Sequence, residues 1–326
     1  MFAFGIDVGY SAVKICFGDA EASPQTRVLP AGAGRVEDLP AKIGGGSADD
    51  GVMVVTVEGE KWAAGVDHAR LETTVRQLHP DYPSTAAYRA LFHAALILGE
   101  RKEVDHLVTG LPTSQALDRG FANRLRERLL GEHQVSERRT IKVHKVTVLP
   151  QPAGAYCDLV GSFEDTDLLA EARIMVIDPG FFSVDWVALE NGEIRKASSG
   201  TSRRAMSVLI ETVNGLIREE QGGGPGVDRI EQAIRNGTGS VPVYGDKVDL
   251  APFIAKAAER VATDALTEMK QMMRQNERAV DIVLIAGGGA HVYEAAAREV
   301  FPKSKIIVPQ EPVVANARGF WNYALQ

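Results

Sequence analysis

The sequence of 326 residues has only two cysteines, Cys16 and Cys157, far apart and in no Cys-x-x-Cys or Cys/His pattern. Neither a disulfide framework nor metal-ligand spacing is available, which points to a reducing compartment. No apolar run approaches the ~20 residues of a membrane-spanning helix. The first residues enter a strand pattern at once, without the layout of a signal peptide. We therefore expect a soluble, cytoplasmic protein with no membrane partner. Positive charge is also scarce: 36 Lys and Arg against 43 Asp and Glu leave a formal net charge of −7. With no long basic run, the surface is not built to neutralise phosphates, so no direct nucleic-acid contact is expected. A P-loop lysine signature, a G-x-G-x-x-G fingerprint, H-E-x-x-H and G-x-S-x-G are all missing. The remainder is ordinary for a globular chain, 45% hydrophobic and 24% charged. Its length exceeds that at which single cores stop growing, so two domains are expected.

What the chain does contain is a repeat. Near the N-terminus an apolar strand runs into Asp7-Val8-Gly9-Tyr10-Ser11 and a second apolar strand. Past the middle, Ile174 to Ile177 run into Asp178-Pro179-Gly180-Phe181-Phe182-Ser183 and another strand. Two such hairpins, about half a chain apart, suggest a duplicated domain with a site between the halves. Glycine lets the turn aim its N–H groups at a phosphate, and an Asp at the strand end can hold Mg²⁺ through water. Ser11 and Ser183 would add hydroxyl donors and Lys14 a positive charge near a β-phosphate. Either hairpin alone reads equally well as a tight turn with a capping Asp. A third element, Gly287-Gly288-Gly289, follows an apolar strand and precedes a helix pattern, where glycines admit another molecule close to the backbone.

Between these motifs strands and helices alternate, which makes the chain α/β. Residues 19–50 read mainly as loop, 53–64 as a hairpin, and 84–98 as a helix capped by Ser84. A strand over 104–111, a basic amphipathic helix over 115–130 and a strand over 140–149 follow. A helix opens at Gln151 with proline in its first turn. The acidic stretch 163–171 marks a boundary. Asn191-Gly192 signals a hairpin turn. Helices are expected over 203–220, 227–235, 250–275, 290–300 and 313–325, with strands over 281–286 and 305–308.

This order of hairpin, helix, second hairpin and strand-Gly-Gly-Gly-helix is similar to that of the actin, heat-shock chaperone and sugar-kinase superfamily. Within it the chain resembles the bacterial actin-like ATPases of plasmid segregation, the ParM or StbA type. Val108-Thr109-Gly110-Leu111-Pro112-Thr113 with Leu117-Asp118-Arg119 resembles that family's T-L-P-L-x-x-Y-x-D-R stretch. Val148 to Tyr156 resembles its M-P-E-x-x-P-A-G-Y segment. The resemblance implies an actin-like ATPase fold: two duplicated RNase H-like domains around a nucleotide cleft, 1–161 plus 309–326 and 162–308. It also implies ATP or GTP with Mg²⁺, self-assembly into filaments weakened by hydrolysis, and a small DNA-binding adaptor protein as partner. Asp7, Gly9, Tyr10, Ser11 and Lys14 match the first phosphate loop; Asp178, Gly180, Phe181, Phe182, Ser183 and Asp185 match the second. Gly287, Gly288 and Gly289 match the adenosine segment. Asp7 and Asp178 would hold the metal through water. Gln151 falls where relatives carry a Glu or Gln that positions the attacking water; capping its own helix is the alternative. Glu231 and Arg235 occupy the region of the ribose and base contacts, or a solvated helix face. Pro179, Phe181 and Phe182 depart from the small or hydroxyl residues usual there, so that either hydrolysis is expected to be slow or the loop to sit differently. A small-molecule kinase of the same superfamily, with Asp185 as base, and a non-polymerising nucleotide-gated binding protein are the alternative functions.

Overall fold

Seven consecutive buried residues, Phe2–Val8 (β1), apolar but for Asp7, form a strand covered on both faces. β1 turns back antiparallel into Ala12–Asp19 (β2), which pairs with Gln25–Pro30 (β3). The computed structural model describes residues 1–40, 52–71, 81–181, 183–202, 206–236, 238–273 and 279–326. It divides into two units, Met1–Ser162 with Val314–Gln326 and Phe163–Val313.

In the first unit, Gly32–Arg35 (β4), Met53–Val57 (β5) and Glu60–Val66 (β6) make a three-stranded sheet in the order β4-β6-β5. β3 and β4 correct the expectation of loop over 19–50; residues 41–51 of that stretch lie outside the described residues. β3 is an edge strand whose exposed and half-buried positions give no apolar alternation to read. Ala86–Leu98 (α1) is capped by Thr85, whose hydroxyl accepts from the Tyr88 N–H at 3.1 Å, rather than by Ser84. Glu103–Val104 (β7) and His106–Leu111 (β8) follow. The expected basic helix is two: Thr113–Ala116 (α2) and Arg119–Leu129 (α3). The break comes at Asp118, whose carboxylate caps α3 by accepting from Gly120 N–H at 2.7 Å. Gly131–Ser136 (β9), Arg139–Val143 (β10) and Val146–Pro150 (β11) lead into Gln151–Ser162 (α4). The main sheet runs β11-β8-β1-β2-β3.

The C-terminal helix, Ala315–Ala324, packs on α4 and β1. Three glycines permit this approach. A Cβ on Gly5 would overlap the Ala317 carbonyl, one on Gly319 the Gly154 carbonyl, and one on Gly154 would reach Asn316 O at 2.5 Å. Asp158 of α4 and Arg318 lock the pair with a bidentate bridge, Nε to Oδ1 at 2.6 Å and Nη2 to Oδ2 at 2.8 Å.

The second unit repeats this plan. After Thr166–Glu171 (α5), Arg173–Pro179 (β12) turns antiparallel into Val184–Glu190 (β13), continued by Glu193–Ile194 (β14) and Gly200–Ser202 (β15). The β13–β14 turn uses Asn191 and Gly192 at φ of 54° and 73°. Met206–Gln221 (α6) and Val227–Asn236 (α7) precede a hairpin of Ser240–Val243 (β16) and Asp246–Asp249 (β17), then Ala251–Met273 (α8). Ile282–Ile285 (β18), Ala290–Val300 (α9) and Lys305–Ile307 (β19) complete the unit. Its sheet runs β14-β13-β12-β18-β19, with β15 also on β13. In both units a hairpin's first strand pairs in parallel with a later strand, which pairs in parallel with the next. The duplication is thus one of strand order, and it places an Asp-x-Gly turn at the same point of each sheet.

Candidate functional site: two matched Asp-x-Gly hairpins

Each hairpin closes a four-residue turn. In the first, Val8 pairs with Val13 and the Gly9 N–H donates to Ala12 O at 3.0 Å. In the second, Pro179 pairs with Val184 and the Gly180 N–H donates to Ser183 O at 2.9 Å. By this register Ser183 takes the place of Ala12. Phe182 lies outside the described residues.

The cross-strand partner of each Asp sets its electrostatics. Asp7 lies opposite Lys14, and Lys14 Nζ donates to Asp7 Oδ2 at 3.1 Å. Asp7 is 1% exposed, and its other oxygen accepts from Gln151 Nε2 at 2.8 Å. Because a carboxylate only accepts, this contact fixes which way the Gln151 amide points. A carboxylate has about four acceptor positions, so these two bonds leave room for water on a cation. Gln151 is the first residue of α4, delivered there by β11. Beside it, Tyr10 stacks on Tyr82 with ring centroids 4.8 Å apart, and Ser11 O accepts from Ala31 N–H at 3.0 Å. These contacts hold the turn on both sides.

Asp178 lies opposite a second carboxylate, Asp185. Both are buried. Asp185 is satisfied by two hydroxyls: Ser183 Oγ donates to Oδ2 at 2.5 Å and Thr201 Oγ1 to Oδ1 at 2.6 Å. The Ser183 hydroxyl is therefore engaged within the hairpin. Like charges facing across a ladder repel, and a cation held beside Asp178 would offset that repulsion. Among the described residues no group of three metal-ligating side chains occurs. The arrangement suits Mg²⁺, which keeps waters and takes one or two carboxylates plus phosphate oxygens.

The glycine triplet braces this second hairpin more than it opens it. Gly287, at φ 83°, leaves space for Asp178 Oδ1, which a Cβ would overlap; Gly289 N–H donates to Pro179 O at 3.0 Å, and a Cβ there would lie 2.8 Å from that oxygen. Only Gly288 faces open space. The N-terminal turn of α6 contributes the Met206 and Ser207 N–H groups to the carbonyls of Gly180 and Phe181, at 3.2 and 2.9 Å. Phe181 packs against the core of its unit.

With this geometry in view, residues 5–154 match the family model of the N-terminal domain of actin-like proteins. Residues 176–299 match that of the archaeal actin homologue MreB-like C-terminal domain. The chain belongs to the actin-like proteins. Solved structures share its fold throughout. A 15-stranded ParM filament from Clostridium botulinum superposes with a TM-score of 0.72 at 19% identity, over 99% of this chain and 98% of that one. Ta0583, an archaeal actin homologue in complex with ADP, gives 0.73 at 18% identity over 99% of each. Bacillus thuringiensis ParM with ATP gives 0.66 at 16% identity, over 100% and 98%. No curated protein sequence matches.

The remaining expected residues of this actin-like chain lie on α7. Glu231 is buried, which removes a solvated face as its explanation; the Arg235 side chain lies outside the described residues. Among the described residues no helix is long and apolar enough to cross a membrane, and both cysteines are free thiols.

Proposed function

We propose that this actin-like chain binds Mg²⁺ with ATP or GTP, assembles with its own copies into filaments in the bound state, and hydrolyses the nucleotide to weaken them. The observation that carries this reading is the pair of Asp-x-Gly hairpins, equal in register, one in each of two units with the same strand order. The turns at Gly9 and Gly180 and the Lys14 ammonium are assigned to the phosphates, the exposed Gly288 to the adenosine side, and Glu231 with Arg235 to the ribose and base. When bound, Mg²⁺ supplies charge neutralisation on the phosphoryl oxygens; Asp7 and Asp178 are the carboxylates assigned to it, through water. Gln151 donates its amide N–H to Asp7, so its Oε1 is the end that can accept from a water. A neutral amide orients that water and does not take its proton.

Self-assembly is supported by the likeness to a ParM filament. We extend the reading to plasmid partitioning in the cytoplasm through a small DNA-binding adaptor, which suits a chain of net charge −7. A metabolite kinase is disfavoured by one contact set: Asp185, the base it would need, already accepts from Ser183 and Thr201. Titration with fluorescent ATP and GTP, with and without Mg²⁺, followed by phosphate release, tests the reading. Mg-dependent binding and release are expected. Absence of binding to either nucleotide removes it, and phosphorylation of a hydroxylated metabolite without polymer replaces it with the kinase.

A further inference from the structure

Gly110 lies in the interior of β8, directly beside Leu149 of β11. Its backbone is not among those with positive φ, so no left-handed conformation calls for glycine here. In a strand interior that leaves close approach of another group as the reason. The group is Gln151: a Cβ on Gly110 would lie 2.7 Å from Gln151 Cγ and 3.1 Å from its Cα. The same Cβ would lie 2.8 Å from Cζ of Phe320. The fully buried Phe320 ring, carried by the C-terminal helix, therefore approaches the same glycine that the Gln151 stem does. One turn along α4, Gly154 makes room for the same ring, since a Cβ there would lie 2.8 Å from Phe320 Cε1. Two observations thus bear on Gln151: its amide is tied to Asp7 at 2.8 Å, and its stem passes close over Gly110, the glycine that Phe320 Cζ also approaches.

We infer that Gly110 and Phe320 are positioning residues for Gln151, so that the seating of the C-terminal helix sets the rate of nucleotide hydrolysis separately from nucleotide affinity. The inference rests on the nucleotide-hydrolysing reading above. A methyl at position 110 pushes the Gln151 stem, and a displacement of about 1 Å at a water-orienting group lowers turnover about tenfold to a hundredfold.

The test is a double-mutant cycle on the full chain. Mg-ATP turnover, and affinity for a non-hydrolysable analogue, are measured for wild type, Gly110→Ala, Gln151→Ala and the double variant. Gly110→Ala is expected to lower turnover about tenfold or more with affinity within about threefold of wild type. In the Gln151→Ala background it is expected to cause no further loss, because residues acting as a unit are not additive. A merely structural role would lower turnover by the same factor in both backgrounds, and that result overturns the inference. So does unchanged turnover in Gly110→Ala, or a fall in affinity matching the fall in turnover. Phe320→Leu, which removes volume rather than adding it, decides the matter by the same cycle if Gly110→Ala does not fold. Wild type that binds the analogue without turning over ATP overturns the inference while nucleotide binding stands. Wild type that binds no nucleotide overturns both.

Discussion

Lowering the pH from 7.5 to 5.5 should destabilise the N-terminal unit through one buried side chain, His93. Its Nδ1–H donates to Thr56 O at 2.7 Å, while the buried Nε2 has no hydrogen-bond partner among the described residues. A second imidazolium proton would have nowhere to go. Burial above all, with His133 and Arg89 nearby, holds the pKa down from 6.5 to about 4; the Thr56 bond acts in the opposite sense. The folded state therefore binds fewer protons than the unfolded chain between pH 6.5 and 4. Stability from this group is complete above pH 6.5 and is lost as pH falls through that window. Linkage gives a loss of about 1.4 kcal/mol at pH 5.5, approaching about 3 kcal/mol at pH 4. Burial also lowers the pKa of His133 and His106, so the wild-type slope exceeds this single contribution. Urea unfolding of wild type and His93→Gln isolates it, because the amide keeps a donor for Thr56 and does not titrate. The stability difference between pH 7.5 and 5.5 should shrink by about 1.4 kcal/mol in the variant. An equal pH dependence in both proteins would refute the reasoning.

Three other outcomes follow from the structure. Asp178→Ala should abolish the Mg²⁺ dependence of nucleotide turnover, and unchanged turnover in a phosphate-release assay would remove Asp178 from the site. Gly319→Ala drives a methyl into the Gly154 carbonyl and should cost about 1–3 kcal/mol or more in urea unfolding; a neutral effect would contradict the packing of the C-terminal helix on α4. Burial pushes the Cys16 thiol up to about 12 and Cys157 up to about 11. Native protein at pH 8 should therefore resist iodoacetamide at both positions while unfolded protein reacts, as mass spectrometry would show.

The duplication was legible in the sequence because each copy writes the same short pattern where a strand meets a turn, and the fold was legible through the family resemblance of that order of motifs. Alignment inside the hairpins was not. Both turns carry a serine, but the ladder puts Ser183 at the place of Ala12, a difference that only register reveals. The edge strand β3 and the β16–β17 hairpin were missed for another reason. The first has no apolar alternation, and the second turns on Tyr244-Gly245, at φ of 51° and 96°, without the Asn-Gly signal. The glycine triplet was recognisable as a place of close approach, but what approaches Gly287 and Gly289 is the Asp178 hairpin itself. The Gln151–Asp7 contact joins residues 144 positions apart; residue types suggested a shared site, and tertiary packing alone makes the bond.

The central claim, nucleotide-dependent assembly of an actin-like chain, is tested most directly by sedimentation of purified protein with Mg²⁺ and ATP, GTP, a non-hydrolysable analogue or no nucleotide. The account predicts pelletable polymer with ATP or GTP, more persistent polymer with the analogue, and none without nucleotide. Equal amounts of pellet in all four conditions, or no pellet in any, would contradict it.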